Sequence, residues 1–200
     1  MSGPARQVVV FARAPRLGVG KRRLAADIGR LGAHRFYRAN LARTLRRLVV
    51  GPWQLSVAVA HPKDAGAAFF AGHDVLLQPP GDLGKRMTAV LRSLAPGPAI
   101  IVGSDIPDIR VEDIQAAFQV LGRRDAVFGP ASDGGYWLAG MARRRPVPRG
   151  FMADVRWSGP HALVDTIASL PAGYSHGLIG EKDDIDTGED YWRYRKRGRS

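Results

Sequence analysis

Strand-like and helix-like segments alternate along this chain, and the strands are apolar end to end instead of at every second residue. That pattern predicts an α/β fold whose sheet is mostly parallel and covered by helices on both faces. With 200 residues, 45% of them apolar and 24% charged, there is enough material for one sizeable core. No internal repeat or long linker divides the sequence. The reading is a single domain over residues 1–192, followed by a basic tail at 193–200.

Gln7–Ala12 is a β-branched run between Pro4 and Pro15, and predicts the first buried strand. Ala33–Leu48 predicts a helix. Tyr37, Leu41, Thr44, Leu45 and Leu48 fall on one face, with Arg35, Arg38, Arg43, Arg46 and Arg47 on a solvated opposite face. Gln54–Ala60 is the next strand, followed by a short helix near Ala65–Phe70 and a strand at Val75–Gln78. Leu83–Leu94 is helical and stopped by Pro96 and Gly97. Ala99–Gly103 is a parallel-type strand, with the helix Val111–Leu121 after it. Ala126–Gly129 and Trp137–Met141 read as strands around a Gly-Gly turn, His161–Leu170 as a helix ended by Pro171, and a last helix begins near Gly188.

Composition removes several function classes. The longest apolar runs, such as Ala99-Ile100-Ile101-Val102, fall far short of the roughly 20 residues a bilayer span needs. The opening residues lack the apolar region of a signal peptide, and zero cysteines exclude disulfides and thiolate zinc sites. The expected compartment is the cytoplasm. Five scattered histidines form no His-x-x-x-His pair, so any metal chemistry must run on carboxylates. The net charge of +12 is unevenly spread: +11 over residues 1–52, −4 over 53–190 and +5 over the last ten. A duplex binder more often spreads cations along one face and interleaves aromatics, so nucleic acid is not the expected partner.

Five constellations can carry chemistry. The loop after the first strand, Phe11 to Leu24, places Gly18 and Gly20 beside Arg13, Arg16, Lys21, Arg22 and Arg23. Glycines let a backbone approach a ligand, and the cations suit phosphates. Pro15 and Arg22 exclude a Walker A loop. The second, Gly103-Ser104-Asp105-Ile106-Pro107-Asp108, puts Asp105 at a strand exit, where α/β sheets bind ligands and a carboxylate suits Mg²⁺ or Mn²⁺. Asp108 instead fits the cap of the following helix. The third, Asp183 to Asp190, sets Asp184 and Asp186 on one side of an extended segment, and Asp186 or Thr187 can also cap the last helix. The fourth, Gly129 to Trp137, reads either as a plain hairpin or as a turn in which Gly134 and Gly135 admit a ligand beside Tyr136 and Trp137. The fifth, Gln78 to Met87, contains Asp82 in a rigid strand-to-helix turn whose N–H groups face anions. No Gly-x-Ser-x-Gly elbow is present, which argues against a serine hydrolase.

In order, these motifs are Phe-Ala-Arg-Ala-Pro-(x)₂-Gly-(x)₂-Lys-(x)-Arg-Leu, Gly-Asp-Leu-Gly-x-Arg-Met, Gly-Ser-Asp-x-Pro-Asp, Gly-Pro-x-x-Asp-Gly-Gly-Tyr and Asp-x-Asp-Thr-x-Glu-Asp. From about Val8 to Asp190 the set resembles the small bacterial glycosyltransferase-A-like family, often named radical-SAM/selenodomain-associated transferases. Its wider superfamily includes sugar-nucleotide transferases, the molybdenum-cofactor guanylyltransferase and the phospholactate guanylyltransferase. The resemblance implies a nucleotide-diphospho-sugar transferase fold, a three-layer sandwich, and use of Mg²⁺ or Mn²⁺. It implies that Asp105 binds the metal, with Asp186 and Asp184 as further metal or catalytic carboxylates. It also implies that Arg13, Lys21 and Arg23 face the nucleotide. Arg22 departs from the family's usual Thr.

The expected function is therefore metal-dependent transfer from a nucleotide-activated donor to an acceptor that the sequence does not name. Glycosyl transfer from a nucleotide-diphospho-sugar is favoured by the resemblance. Nucleotidyl transfer from a nucleoside triphosphate is the alternative that the basic first loop suits, since a triphosphate carries more charge. An inverting glycosyl transfer also needs a general base, for which Asp133 and Asp154 are available. A non-catalytic nucleotide- or RNA-binding module is the competing class.

Overall fold

Val8, Val9 and Val10 have no solvent exposure because helices cover both faces of the strand that carries them. The structure, a computed structural model, describes residues 5–197. Its strands are β1 (Gln7–Ala12), β2 (Gln54–Val59), β3 (Asp74–Leu77), β4 (Ala99–Gly103), β5 (Ala126–Pro130), β6 (Tyr136–Met141) and β7 (His176–Leu178). They form one sheet in the order β3-β2-β1-β4-β6-β5-β7, in which only β6 runs antiparallel to its neighbours. The helices are α1 (Arg22–Leu48), α2 (Pro62–Ala65), α3 (Leu83–Ser93), α4 (Val111–Leu121), α5 (Ala162–Ala168) and α6 (Gly188–Arg197), with a 3₁₀ turn at Ala68–Phe70.

The layers follow from the period of two within each strand. Val8, Val10, Val57, Val59, Ile100 and Val102 pack with Leu41, Leu45 and Leu48 of α1 and with Ile114, Ala117 and Phe118 of α4. Val9, Ala58, Ile101, Phe128 and Met141 face Met87, Val90 and Leu91 of α3 together with Phe151 and Met152. Both faces are dry, which explains continuous apolar strands and confirms the three-layer α/β reading. No helix among the described residues is long and apolar enough to cross a membrane.

Several elements differ from the sequence expectation. α1 begins at Arg22, not at Ala33, and is broken at Gly29, whose φ of 78 and ψ of 155 are not helical. Before the break only Leu24 is buried, so that half carries no apolar stripe to read. Arg43 and Arg47 are not simply solvated: they donate to the Tyr194 hydroxyl at 2.8 Å and to the Pro107 carbonyl at 3.0 Å. β7 has three residues centred on Gly177, which packs so closely that a Cβ there would lie 2.7 Å from Val120. α6 continues through the expected boundary at 192/193 to Arg197, while 198–200 lie outside the described residues.

Two carboxylates fasten peripheral segments. Asp165 accepts hydrogen bonds from the Arg156 backbone N–H and from its guanidinium, at 2.8 to 3.0 Å, which hold its carboxyl well below the usual range. The Ser175 backbone N–H, with the Ser175 hydroxyl and Arg145, holds Asp125 below that range as well. A lowered native pKa means that the unfolded chain takes up the proton more readily. The stabilisation is therefore present above the ordinary carboxylate pKa of about 4 and is lost as pH falls through the native values. Urea midpoints should decline below about pH 4, and decline less in Asp165→Asn, which lacks one of the two linked groups.

Candidate active site

The direction in which strands are added reverses between β1 and β4: β2 and β3 lie on one side of β1, and β4 lies on the other. In an open α/β sheet such a reversal leaves a crevice at the carboxyl ends of the strands. Here that crevice is a cavity of about 620 Å³. Phe11, Arg13, Gly18, Lys21, Arg22 and Tyr37 line it from the β1 side; Gln78 comes from just after β3, Leu83 and Arg86 from the first turn of α3, and Ser104 and Asp105 from the end of β4.

The loop after β1 is fixed at both ends. The Tyr37 hydroxyl accepts from the Arg13 N–H and donates to the Arg13 carbonyl, both at 3.0 Å. Burial pushes the Tyr37 phenol up, despite a 3.4 Å contact with the Ser104 hydroxyl. The Ala14 N–H donates to buried Asp64 at 3.0 Å, and Arg16 pairs with the same carboxylate at 2.8 Å. Gly18 and Gly20 then take positive φ values of 79 and 73, conformations that favour glycine, and carry the chain over the cavity.

Asn40 of α1 donates to the Ser104 carbonyl at 2.9 Å and holds the turn that presents Asp105. Asn40→Ala leaves that carbonyl unpaired in a buried setting and should cost about 1–3 kcal/mol. Urea unfolding of the variant measures the loss.

A second segment reaches the same place from the far end of the chain. The Ile185 N–H donates to the Asp105 carbonyl at 3.2 Å, and Ile185 itself is buried against Leu24 and Ala33. Thr187 and Asp190 exchange hydrogen bonds, which starts α6 with a reciprocal cap and leaves Asp186 free of capping duty. The Gly188 N–H donates to Asp27 at 2.7 Å, and a Cβ at Gly188 would lie 2.5 Å from that side chain, so α6 docks tightly on α1.

Asp105 and Asp186 thereby converge on one cation. The Lys21 ammonium lies 3.2 Å from Asp105 and 3.4 Å from Asp186, and donates to the Ile185 carbonyl at 2.5 Å. Arg23 stands 3.5 Å from the other Asp186 oxygen. Burial pushes the Asp184 carboxyl up, Lys21 opposes this, and the charges of Asp133, Asp186 and Asp105 add to it. Among the described residues no three His, Asp or Glu side chains are gathered as a ready-made metal cage. Two carboxylates plus ligand phosphates are nevertheless an ordinary way to hold Mg²⁺, and these two already share a cation.

The family model described as "Uncharacterized protein conserved in bacteria (DUF2064)" matches residues 41–159, more than half of the chain. The chain belongs to the DUF2064 family. No curated protein matches its sequence. Among solved structures, a candidate nucleotide-diphospho-sugar transferase from Desulfovibrio desulfuricans G20 is similar, with a TM-score of 0.89 and 26% identity over 98% of this chain and 88% of that one. A CMP:2-keto-3-deoxy-manno-octonic acid synthetase complexed with CTP has a TM-score of 0.57 at 12% identity, covering 97% and 98%. Rv0371c from Mycobacterium tuberculosis H37Rv, in complex with manganese, has a TM-score of 0.54 at 16% identity, covering 96% and 97%. These likenesses agree with the expected nucleotide-diphospho-sugar transferase fold.

In this DUF2064 protein the expected site residues are divided between the cavity and other places. Arg13, Gly18, Lys21 and Asp105 line it, and Asp186 joins through Lys21. Asp82 is off the cavity wall and caps α3, accepting from the Lys85 N–H at 2.8 Å. Gly134 takes φ 83 and packs so closely that a Cβ would lie 2.4 Å from the Pro160 carbonyl oxygen; Gly135 donates to Asp133 within the same turn. Tyr136 is packed beside Phe128 and Trp157, and burial pushes its phenol far up. None of these three residues lines the cavity. Gln78 and Arg86 do, joined to each other at 3.1 Å; both lie in the fifth constellation, where only Asp82 was singled out. The signal for Arg86 was its place one turn into α3, within the Gly-Asp-Leu-Gly-x-Arg-Met motif already quoted.

Proposed function

We propose that this protein is a transferase acting on a nucleotide-activated donor, held in the β1/β4 cavity with Mg²⁺ or Mn²⁺ at Asp105 and Asp186. The observation that carries the reading is the meeting of those carboxylates, from segments 81 residues apart, on one cation at the mouth of an arginine-lined crevice. Arg13, Arg22 and Arg86 supply fixed positive charge for the donor's phosphates, and Gly18 and Gly20 allow the backbone to approach them. Phe11, Tyr37 and Leu83 give the crevice apolar walls that exclude water. A divalent cation bound there neutralises the phosphates and the charge on the departing group.

Glycosyl transfer from a nucleotide-diphospho-sugar is the favoured reaction, supported by the likeness to the Desulfovibrio protein. Nucleotidyl transfer from a triphosphate is the second reading, supported by the arginine-rich crevice and the CTP-bound neighbour. The RNA-binding alternative is weakened because Arg193 pairs with Glu189 and Asp190 and Arg197 lies near Asp183, which leaves less free charge in the tail. A thermal-shift panel of diphosphosugars and triphosphates, with Mn²⁺ or chelator, tests the proposal. Ligand at a hundredfold excess over its Kd stabilises by about 2.7 kcal/mol, roughly 5–10 °C for a chain of this size. Such a shift, dependent on Mn²⁺, supports the reading; identical melting with every nucleotide contradicts it.

A further inference from the structure

Lys21 has a side chain only 6% exposed, yet the carboxylates beside it are 43% and 41% exposed. The ammonium is thus the enclosed partner and the carboxylates are open to solvent. Its three contacts, Asp105, Asp186 and the Ile185 carbonyl, are oxygens, the donor set a hard divalent cation requires. The residue itself adopts φ 46 and ψ 42, a left-handed conformation that non-glycine residues keep only where surrounding contacts hold them.

We infer that Lys21 holds the place of the divalent cation, and that cation binding expels its ammonium from the carboxylate pair. The inference rests on the metal reading above and goes beyond it by making Lys21 a competitor of the metal. Charge explains why the exchange is needed. Two carboxylates this close repel each other, and one ammonium relieves half of their charge. A divalent ion relieves all of it, but it and the ammonium cannot share the same oxygens without strong like-charge repulsion. Lys21 follows Gly18 and Gly20, and it already lines the cavity. Once displaced, its charge becomes available to the phosphates of the donor, so metal arrival and phosphate capture become linked events. Lys21 is in this account a positioning residue for both.

The test is Mn²⁺ binding alone, followed by the loss of the free-ion electron paramagnetic resonance signal, with no nucleotide and no turnover. Lys21→Met should bind Mn²⁺ about tenfold or more tightly than wild type, because the competitor is gone and both carboxylates remain. Lys21→Gln, which keeps an N–H for the Ile185 carbonyl, should behave likewise and covers the case in which the methionine variant fails to fold. Lys21→Arg keeps the charge and should stay near wild type. Without metal, both neutral variants should melt below wild type, and Mn²⁺ should raise their melting temperature by more than it raises wild type. Mn²⁺ affinity in the neutral variants equal to or weaker than a measurable wild-type affinity overturns the exchange and leaves the metal reading standing. No Mn²⁺ binding by any of the four proteins overturns both.

Discussion

Asp105→Asn should abolish most Mn²⁺-dependent nucleotide binding and turnover, with a loss on the order of 10²-fold or more, because stabilisation of phosphate charge by a metal is worth several kcal/mol. Asparagine preserves the shape of the side chain but removes the anionic oxygen that a hard cation needs. The turn that carries it is held independently by the Asn40 bond to the Ser104 carbonyl and by the Ile185 N–H on the Asp105 carbonyl, neither of which uses the carboxylate. The fold should therefore survive. From sequence alone, removal of one of several adjacent negative charges is expected to leave stability unchanged or raise it. The structure changes that expectation, because Lys21 is nearly enclosed and loses one of its two carboxylates. Asp105 is itself 43% exposed, so solvent screening limits the loss to at most about 1 kcal/mol. Melting wild type and variant with nucleotide, each with Mn²⁺ and with chelator, separates the two roles. A Mn²⁺-dependent increment that persists in Asp105→Asn contradicts the assignment.

The second large effect concerns Trp137, which lies in a motif that read from sequence either as a ligand-facing turn or as a plain hairpin. Its ring is 2% exposed and packs in the α1/α4 layer, and its indole N–H donates to the Gly180 carbonyl at 3.0 Å. Gly129 makes room for it, since a Cβ there would lie 2.5 Å from the ring. Trp137→Ala should cost about 3–5 kcal/mol, roughly 6–20 °C in melting temperature for a domain of this length. A ring kept for stacking on a ligand predicts the opposite pattern, with unchanged melting and weakened nucleotide binding. Differential scanning calorimetry on the free protein distinguishes them.

Legibility followed the range of the forces involved. β4 and α4 have the limits that local pattern suggests, Ala99–Gly103 and Val111–Leu121, because each is a complete apolar run or stripe between turn residues. The first half of α1 was illegible because a single buried residue, Leu24, anchors it. β7 was illegible because it is defined by its partner β5 and not by its own three residues. At the site, strand exits and charge made Asp105 and the basic loop visible. The pairing of Lys21 with Asp105 and Asp186 was not visible, since it joins residues 84 and 165 positions apart, and the loop cations read instead as free for phosphates. Asn40 and Tyr37 escaped for the same reason. Helix spacing put Tyr37 on the apolar face and singled out nothing about Asn40, whereas their bonds to Ser104 and Arg13 exist only once β1, β4 and α1 are assembled. Gly134 shows the converse: the Asp-Gly-Gly turn was legible, but its purpose, a close approach to Pro160, depends on a segment 26 residues away.

In this proposal a divalent cation and a nucleotide meet at the carboxyl ends of β1 and β4. Anomalous diffraction at the manganese edge, from crystals soaked with Mn²⁺ together with a nucleotide that passes the thermal-shift panel, tests it most directly. One strong peak bound by Asp105 and Asp186 is expected, with the phosphates extending from it toward Arg13 and Arg86 and Lys21 moved off the carboxylates. A peak elsewhere, or nucleotide density outside this crevice with Lys21 still bridging the two aspartates, would contradict it.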